Sequence, residues 1–379
     1  MAKIIGIKGK QLSGKPVFYY YQQQFDYKGE RKSRTGFICG VKLEHYDKGI
    51  ILPHQEILPN ISDERLALLK NSGDNIGPVL GLYNDFAGSI DQLIQQAAGA
   101  NVDVQFTDAD GAIHSLTAIN DDAVIQQVQQ QMERQRIFIA NGHHSYDAAL
   151  RYAQENPQAN YITMALMNLY DPNLIILPVH RLIKDVPDLD VDKFMQQLRE
   201  DYVVEPFNVN QSGENIEEFM QALYHRGGFD YGLGIEHCRT FGLYTGNGQG
   251  YLVTLESETT MDQLMPKEGY SLALQGIDVF VLHYTVLQRL LGIGRQNQAE
   301  TAEQKHQKAD TNIKRASVVY TRKEIEALRK VDSGQCQLAF LLNPVVFDEF
   351  TAVAIGGELM PPKSTYFYPP LPADLLKKL

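Results

Sequence analysis

The chain lacks several features that mark particular classes of protein. Its 379 residues include no tryptophan and only three cysteines, which lie far apart at Cys39, Cys238 and Cys336. No Cys-x-x-Cys or Cys-x-x-His spacing occurs, so a structural zinc site has no support, and separate thiols in odd number suit a reducing compartment. No apolar run approaches the roughly 18 residues that cross a bilayer, and the first residues lack the apolar core of a signal peptide. We therefore expect a soluble cytoplasmic protein.

Positively charged residues are also fewer than negatively charged ones. The 35 lysines and arginines face 46 aspartates and glutamates, which gives a formal net charge of −11. Nucleic acids and anionic membranes attract positively charged surfaces, so we expect neither as a partner. A local basic pocket for a small anion is compatible with this balance.

The common nucleotide and hydrolase motifs are absent too. The sequence has no Walker loop and no Gly-x-Ser-x-Gly elbow. Gly292-Ile293-Gly294 follows the predicted long, buried helix Asp278–Leu291 and not a strand, so it is no dinucleotide fingerprint. His283, inside that helix, is expected to be a hydrogen-bonded core residue.

Strand and helix patterns alternate along the whole chain. Phe18–Tyr27 and Thr35–Leu43 flank a turn at Lys28-Gly29-Glu30 and predict a hairpin. Tyr231–Ile235 is a further predicted strand, and the polar stretch Asn297–Asp310 is predicted to be a mobile loop or a solvated helix. The pattern predicts an α+β fold with mixed sheets, hairpins and flanking helices. We expect a domain over residues 1–175 and a second over 176–379, with one large domain as the alternative.

The most informative segment is Asn141-Gly142-His143-His144. It follows the apolar run Ile137–Ala140 and precedes a good helix sequence. Free amides at a helix N-terminus and the helix dipole attract anions, and glycine lets a ligand approach the backbone. An ordinary strand–turn–helix corner with solvated histidines explains the pattern equally well. Adjacent histidine side chains diverge, so we predict no metal site here.

Two further segments carry residues suited to acid–base or anion chemistry. His54 and Glu56 follow a predicted strand and suit general acid–base catalysis, although a solvated loop pair is the simpler interpretation. His180 and Arg181 follow an apolar strand and are predicted to reach a pocket rim.

The C-terminal segment combines a lysine with hydroxyl groups. Lys363 offers a point charge for phosphate, and Ser364 and Thr365 add hydroxyl donors. Because the flanking prolines and aromatics favour a docked segment, we expect the tail to return to the site. A purely structural C-terminal clamp is the equal alternative.

Taken together, these motifs resemble a known family. The matching stretches are Tyr19–Tyr21, Arg34–Phe37, Leu52–His54, Asp63–Leu69, Gly81–Tyr83, Ile139–His144, Leu177–Arg181, Leu282–His283, Val331–Gly334, Phe340–Pro344 and Met360–Pro369. The chain resembles the family called domain of unknown function 1015. The Gly-His-His motif also looks like the phosphate-holding turn of the ParB/sulfiredoxin-like fold, which includes free-serine kinases.

The resemblance implies phosphoryl transfer to L-serine with inorganic pyrophosphate as donor, usually with Mg²⁺. It implies phosphate binding by Asn141, Gly142, His180 and Arg181 and by the segment Lys363-Ser364-Thr365. It implies catalytic roles for the remaining candidates, which are His54, Glu56, His143 and His144. The expected ligand is therefore a small anion: pyrophosphate, phosphate or phosphoserine.

The chain departs from the family pattern at charged positions. Asn141 stands where the family has Asp, Ser145 where it has Arg, Gln55 where it has Glu, and Pro370 where it has Lys. Only about 16 residues precede the tyrosine-rich strand, without the usual Pro-Pro-Tyr-Asp stretch. We expect a diverged member with altered or absent kinase activity. The alternative is a non-catalytic module that binds phosphate or phosphoserine, and the acidic charge disfavours a ParB-like role in DNA binding.

Overall fold

In a computed structural model, the chain divides into two compact units. The first comprises Met1–Ile176, Thr351–Pro362 and Tyr366–Leu379, and the second comprises Leu177–Phe350 and Lys363–Thr365. The described residues are 1–8, 15–72, 77–210, 213–228, 238–256, 263–264, 269–294 and 316–379. The predicted strand Tyr231–Ile235 and the polar stretch Asn297–Asp310 lie outside them. The predicted α+β class with mixed sheets and hairpins is confirmed.

Among these described residues, nine strands form the sheet of the first unit. They are β1 (Ile4–Ile5), β2 (Phe18–Tyr27), β3 (Glu30–Lys42), β4 (Ile51–Leu52), β5 (Val79–Tyr83), β6 (Val104–Thr107), β7 (Ile113–Ile119), β8 (Ile137–Asn141) and β9 (Tyr161–Asn168). Their order is β4-β8-β5-β9-β3-β2-β7-β6, and β1 pairs with β3. β8 is parallel to β4 and antiparallel to β5, so the sheet is mixed around the strand that carries the Asn-Gly-His-His segment.

In the part of the first unit that the structure describes, α-helices accompany the sheet. They are α1 (Pro59–Ser72), α2 (Ser89–Ala98), α3 (Asp122–Met132) and α4 (His143–Glu155). The core combines inward-facing strand residues such as Phe37, Ile139 and Leu166 with Ile90 of α2 and Tyr146 of α4. Burial of this apolar surface supplies the main free energy that holds α4 to the sheet.

The second unit contains a six-stranded antiparallel sheet in the described part of the chain. After β10 (Ile175–Leu177), its strands are β11 (His180–Lys184), β12 (Tyr202–Asn208), β13 (Thr240–Gly246), β14 (Gln249–Leu255), β15 (Ser317–Thr321) and β16 (Leu338–Leu342), in the order β12-β14-β13-β16-β11-β15. Its helices are α5 (Val191–Leu198), α6 (Ile216–Arg226), α7 (Leu272–Gln275), α8 (Asp278–Val281) and α9 (Glu324–Asp332). The chain ends with α10 (Phe347–Ile355) and the short strand β17 (Tyr366–Tyr368).

The predicted helix Asp278–Leu291 is not a uniform α-helix. It is α-helical over Asp278–Val281 and becomes a π-helix over Leu282–Gln288. The hydroxyl of Thr285 donates to the carbonyl of Val281 at 2.6 Å. That carbonyl is the usual acceptor for the Thr285 amide, so the side chain competes with the backbone where the π-helix begins.

A buried arginine attaches the C-terminal segment to the first unit. Arg34 on β3 is fully buried, and its Nε donates to Gln23 Oε1 at 2.8 Å. Its two terminal nitrogens donate to the carbonyls of Tyr368 and Pro369. Burial lowers the pKa of Arg34 to about 10, so the guanidinium stays charged at neutral pH.

Replacing Arg34 with methionine should destabilise the protein because the part-buried carbonyl of Tyr368 and the buried carbonyl of Pro369 lose a charged donor. We expect a loss of about 3 kcal/mol in the free energy of unfolding, measured by urea denaturation. Arg31→Met on the same strand is the control, since Arg31 makes an exposed ion pair with Asp26 and should matter little. Equal stability of the two variants would show that the Arg34 contacts do not hold the segment.

Candidate functional site

The Asn-Gly-His-His segment forms a sharp corner between a buried strand and a helix. β8 is buried from Ile137 to Ala140, and Asn141 is exposed. Gly142 has a φ of +92°, and a Cβ there would lie 3.1 Å from Val79. Both the backbone conformation and the close approach of β5 therefore require glycine. α4 begins immediately afterwards, and Tyr146 N donates to Gly142 O at 2.9 Å.

Asn141 acts on the backbone of the corner itself. Its Oδ1 accepts the amide of Gly142 at 2.8 Å. This contact stabilises the turn that starts α4. The predicted contact of Asn141 with phosphate stays a prediction.

Two buried imidazoles lie against this corner. His54, from the segment after β4, is fully buried, and its Nδ1 lies 2.8 Å from the Ile139 carbonyl of β8. His143 Nε2 lies 3.1 Å from the same Nδ1, with the two rings edge to face at 4.6 Å. The amide end of Gln55 lies 3.4 Å from His143 Nδ1. The structure thus brings together His54 and His143, which are far apart in sequence.

The Ile139 carbonyl, at one end of this series of contacts, determines which ring nitrogens carry a proton. A carbonyl can only accept, so His54 carries its proton on Nδ1. That proton faces His143 Nε2, which must then be an unprotonated acceptor. His143 therefore holds its own proton on Nδ1 and presents it to Gln55, whose amide oxygen should be the end that faces it. The chain of contacts accommodates both rings in their neutral forms.

Burial keeps His54 neutral across the physiological range. Desolvation lowers its pKa from 6.5 to about 4, and the hydrogen bond to Ile139 offsets this only in part. Because the folded-state pKa is lower than the unfolded one, the unfolded chain binds the proton more readily. Stability is therefore lost as the pH falls from about 6.5 towards 4.

The variant His54→Asn should remove this pH dependence. An asparagine amide can still donate to the Ile139 carbonyl but cannot take up a proton. Between pH 7 and pH 5 we expect the wild type to lose about 2 kcal/mol more stability than the variant, measured by denaturation at each pH. His45→Asn, at an exposed histidine, is the control. Parallel pH profiles of wild type and His54→Asn would contradict a buried neutral His54.

His144 and Glu56 take part in the surroundings of the corner. His144 Nε2 accepts the amide of Leu58 at 2.9 Å, just before α1, so this imidazole fixes the start of that helix. Glu56 lies in a backbone pairing with Met360, whose carbonyl accepts the Glu56 amide at 2.9 Å. Partial desolvation raises the pKa of Glu56. Met360 also donates its amide to the His54 carbonyl at 2.9 Å, so the backbone just before the predicted anion-binding tail segment pairs with the segment that carries His54.

The other predicted residues belong to the second unit. His180 is fully buried, and its Nδ1 accepts the amide of Leu342 at 3.2 Å, so its proton lies on Nε2, 3.4 Å from Glu324. Arg181 is buried and donates to the Lys363 carbonyl at 3.0 Å. Lys363 is exposed and has a φ of +59°, a left-handed conformation that this hydrogen bond helps to hold.

The candidates therefore fall into two groups that belong to different units. His54, Glu56, Asn141, Gly142, His143 and His144 lie in the first unit, and His180, Arg181, Lys363, Ser364 and Thr365 lie in the second. Ser364 and Thr365 are buried. The binding roles of the second group stay predictions. Sequence reasoning missed the Ile139 carbonyl and the contact of Gln55 with His143, because neither leaves a signal in residue type alone.

The part of the chain that the structure describes contains no cluster of metal-ligating side chains. There, no three histidine, cysteine, aspartate or glutamate residues cluster closely enough to hold a metal ion. Over the same residues, no helix has the length and apolar character needed to cross a membrane.

Comparison with known proteins places the chain in a family. The family model described as "Protein of unknown function (DUF1015)" matches residues 9–280, which is more than half of the chain. The chain belongs to this family. No curated protein matches it.

Several solved structures are distantly similar. A conserved hypothetical protein from Pyrococcus furiosus shares 12% identity over 86% of this chain and 90% of its own, with a TM-score of 0.38. A free serine kinase in complex with AMP shares 11% identity over 84% of each chain, with a TM-score of 0.37. C-terminally truncated SbnI from Staphylococcus aureus shares 10% identity over 90% of this chain and 89% of its own, with a TM-score of 0.39. These similarities assign no residue of this chain.

Proposed function

We propose that this member of the family is a phosphotransferase-like protein that binds a small phosphorylated anion at the N-terminus of α4. The observation that carries the proposal is the Gly142 corner, where the backbone turns at a φ of +92° directly into a helix of 13 residues. The positive end of a helix dipole is worth about half an elementary charge. The specific reaction that we propose is transfer of a phosphoryl group from pyrophosphate to L-serine.

In this reaction, each residue of the corner would have a separate role. His54 and His143, in the neutral forms that their contact accommodates, would shape the site and exclude water without adding charge. Glu56, whose pKa is raised, is the nearby carboxylate suited to taking the proton of the serine hydroxyl. The serine oxygen would then bond to one phosphorus as the bond to the bridging oxygen breaks and phosphate leaves. Mg²⁺, which needs few protein ligands when it arrives with pyrophosphate, would neutralise charge on the donor.

A second function is favoured by one contact in the corner. An amide, Gln55, faces His143 Nδ1, at the position where the family has a carboxylate. A carboxylate at this position would stabilise a positively charged His143 in a transition state. The neutral amide of Gln55 stabilises that form less. This favours a protein that binds phosphate or phosphoserine without turnover.

An assay with two isosteric repairs separates these functions. Pyrophosphate, L-serine and Mg²⁺ are supplied, and O-phosphoserine is measured by mass spectrometry. Gln55→Glu combined with Asn141→Asp restores two family carboxylates at no cost in volume, whereas arginine at the buried Ser145 would need new space. We expect product from the wild type and about tenfold more from the double variant.

Binding is measured in parallel by calorimetry with pyrophosphate and with phosphoserine. Gly142→Ala should abolish binding, while Gly49→Ala, at another glycine of positive φ but with open space around it, should not. Binding without turnover in either protein establishes the non-catalytic module. Equal binding by the two glycine variants would refute an anion site at the corner.

A further inference from the structure

The sequence contains two Asn-Gly pairs, Asn141-Gly142 and Asn247-Gly248. In such a pair, the amide nitrogen of the glycine can attack the side-chain amide of the asparagine, and glycine has no side chain to obstruct the approach. Both asparagines are exposed, so water reaches both pairs. The two pairs share one local chemistry but differ in their surroundings.

In the Asn141-Gly142 pair, the two reacting groups are already in contact. Gly142 N donates to Asn141 Oδ1 at 2.8 Å. The carbon that would be attacked, Cγ, is bonded to this oxygen, so the side chain is folded towards the attacking nitrogen. Asn141 lies at the exposed end of β8. Its side chain therefore needs little movement for Cγ to meet Gly142 N.

The position of this pair in the fold also favours the negative charge that develops in the reaction. The attacking nitrogen must lose its proton, and the charge then passes to Asn141 Oδ1 in a tetrahedral intermediate. Gly142 lies directly before α4, a helix of 13 residues. The positive end of a helix dipole stabilises negative charge nearby. The contact between the reacting groups and this electrostatic effect act together.

The Asn247-Gly248 pair has the opposite surroundings. It forms the turn between β13 and β14, where Gly248 N donates to the hydroxyl of Tyr244 at 3.0 Å and not to the asparagine side chain. Tyr244 donates in turn to Asp332 Oδ1 at 2.7 Å, and the same oxygen accepts the amide of Asn247 at 3.0 Å. A carboxylate this close opposes negative charge on Gly248 N. This pair is therefore an internal reference.

We propose that Asn141 is a site of self-modification, at which the side-chain amide is lost by cyclisation with Gly142. Gly142 N bonds to Asn141 Cγ as the bond from Cγ to Nδ2 breaks, and Nδ2 leaves with the Gly142 proton as ammonia. Water then opens the cyclic imide. Attack of water at Cγ gives aspartate in a normal peptide bond, and attack at the main-chain carbonyl carbon gives isoaspartate, whose peptide link runs through the side chain.

Either product adds a carboxylate to the corner at the start of α4. The aspartate product has the side chain that the family resemblance implies at this position, so a preparation of the protein would contain more than one form of the corner. The reaction needs only the Asn-Gly pair and water, and it does not depend on the function proposed for the corner.

Peptide mapping of the folded wild-type chain tests the proposal. The protein is kept at neutral pH, and both Asn-Gly pairs are followed by mass spectrometry, with electron-transfer fragmentation to distinguish aspartate from isoaspartate. We expect both products at residue 141, formed about tenfold faster than those at residue 247. No conversion of Asn141 in the folded protein, or conversion no faster than that of Asn247, would overturn the proposal.

The same chain unfolded in guanidinium chloride is the control for local sequence. Without the fold, the two pairs lose their different surroundings, and we expect them to react at similar rates. An equally large preference for Asn141 in the unfolded chain would assign the difference to the flanking sequence and overturn the role of the corner.

A substitution at the reference pair tests the effect of charge and leaves the corner unchanged. Asp332→Asn keeps an acceptor for the Tyr244 hydroxyl but removes the negative charge. We expect conversion of Asn247 to become about fivefold faster, with the rate at Asn141 unchanged. An unchanged rate at Asn247 would contradict the electrostatic part of the argument.

Discussion

The corner of the first unit depends on one shared proton contact, the Nδ1–H of His54 directed at the Ile139 carbonyl and at His143 Nε2. It joins the segment after β4 to Ile139 of β8 and to His143, the first residue of α4. Because both rings are buried, this contact lies in a region of low dielectric, where a hydrogen bond is stronger than in water. The contact therefore helps to hold the first residue of α4 against the segment after β4.

This arrangement also determines what the corner can offer a ligand. Two neutral imidazoles supply shape and hydrogen bonds but no positive charge, so the anion binding that we propose depends on the start of α4. The chain as a whole is acidic, and the cationic candidates Arg181 and Lys363 belong to the second unit. Arg181 donates to the backbone of Lys363, so its evident work is to hold that residue in place.

Local patterns predicted the local structure well. The hairpin of Phe18–Tyr27 with the strand after it forms where alternation and the turn at Gly29 predict it, and the strand–glycine–helix corner lies at Asn141–His143. Two kinds of feature were not predicted: contacts between residues that are far apart in the sequence, and competition between a side chain and the backbone for one hydrogen-bond acceptor. His54 and His143 are 89 residues apart, so neither segment by itself indicates that the two side chains are in contact. Likewise, the π-helix at Leu282–Gln288 includes a side chain that competes for a backbone carbonyl, and apolar periodicity does not predict such a contact.

The central claim is that the amides at the start of α4 receive a small phosphorylated anion, and their NMR signals test it most directly. In a titration of the ¹⁵N-labelled protein with pyrophosphate, the account predicts saturable shifts concentrated on the amides of His143, His144 and Ser145. Saturable binding that leaves these three amides unmoved, or no saturable shift anywhere, would contradict it.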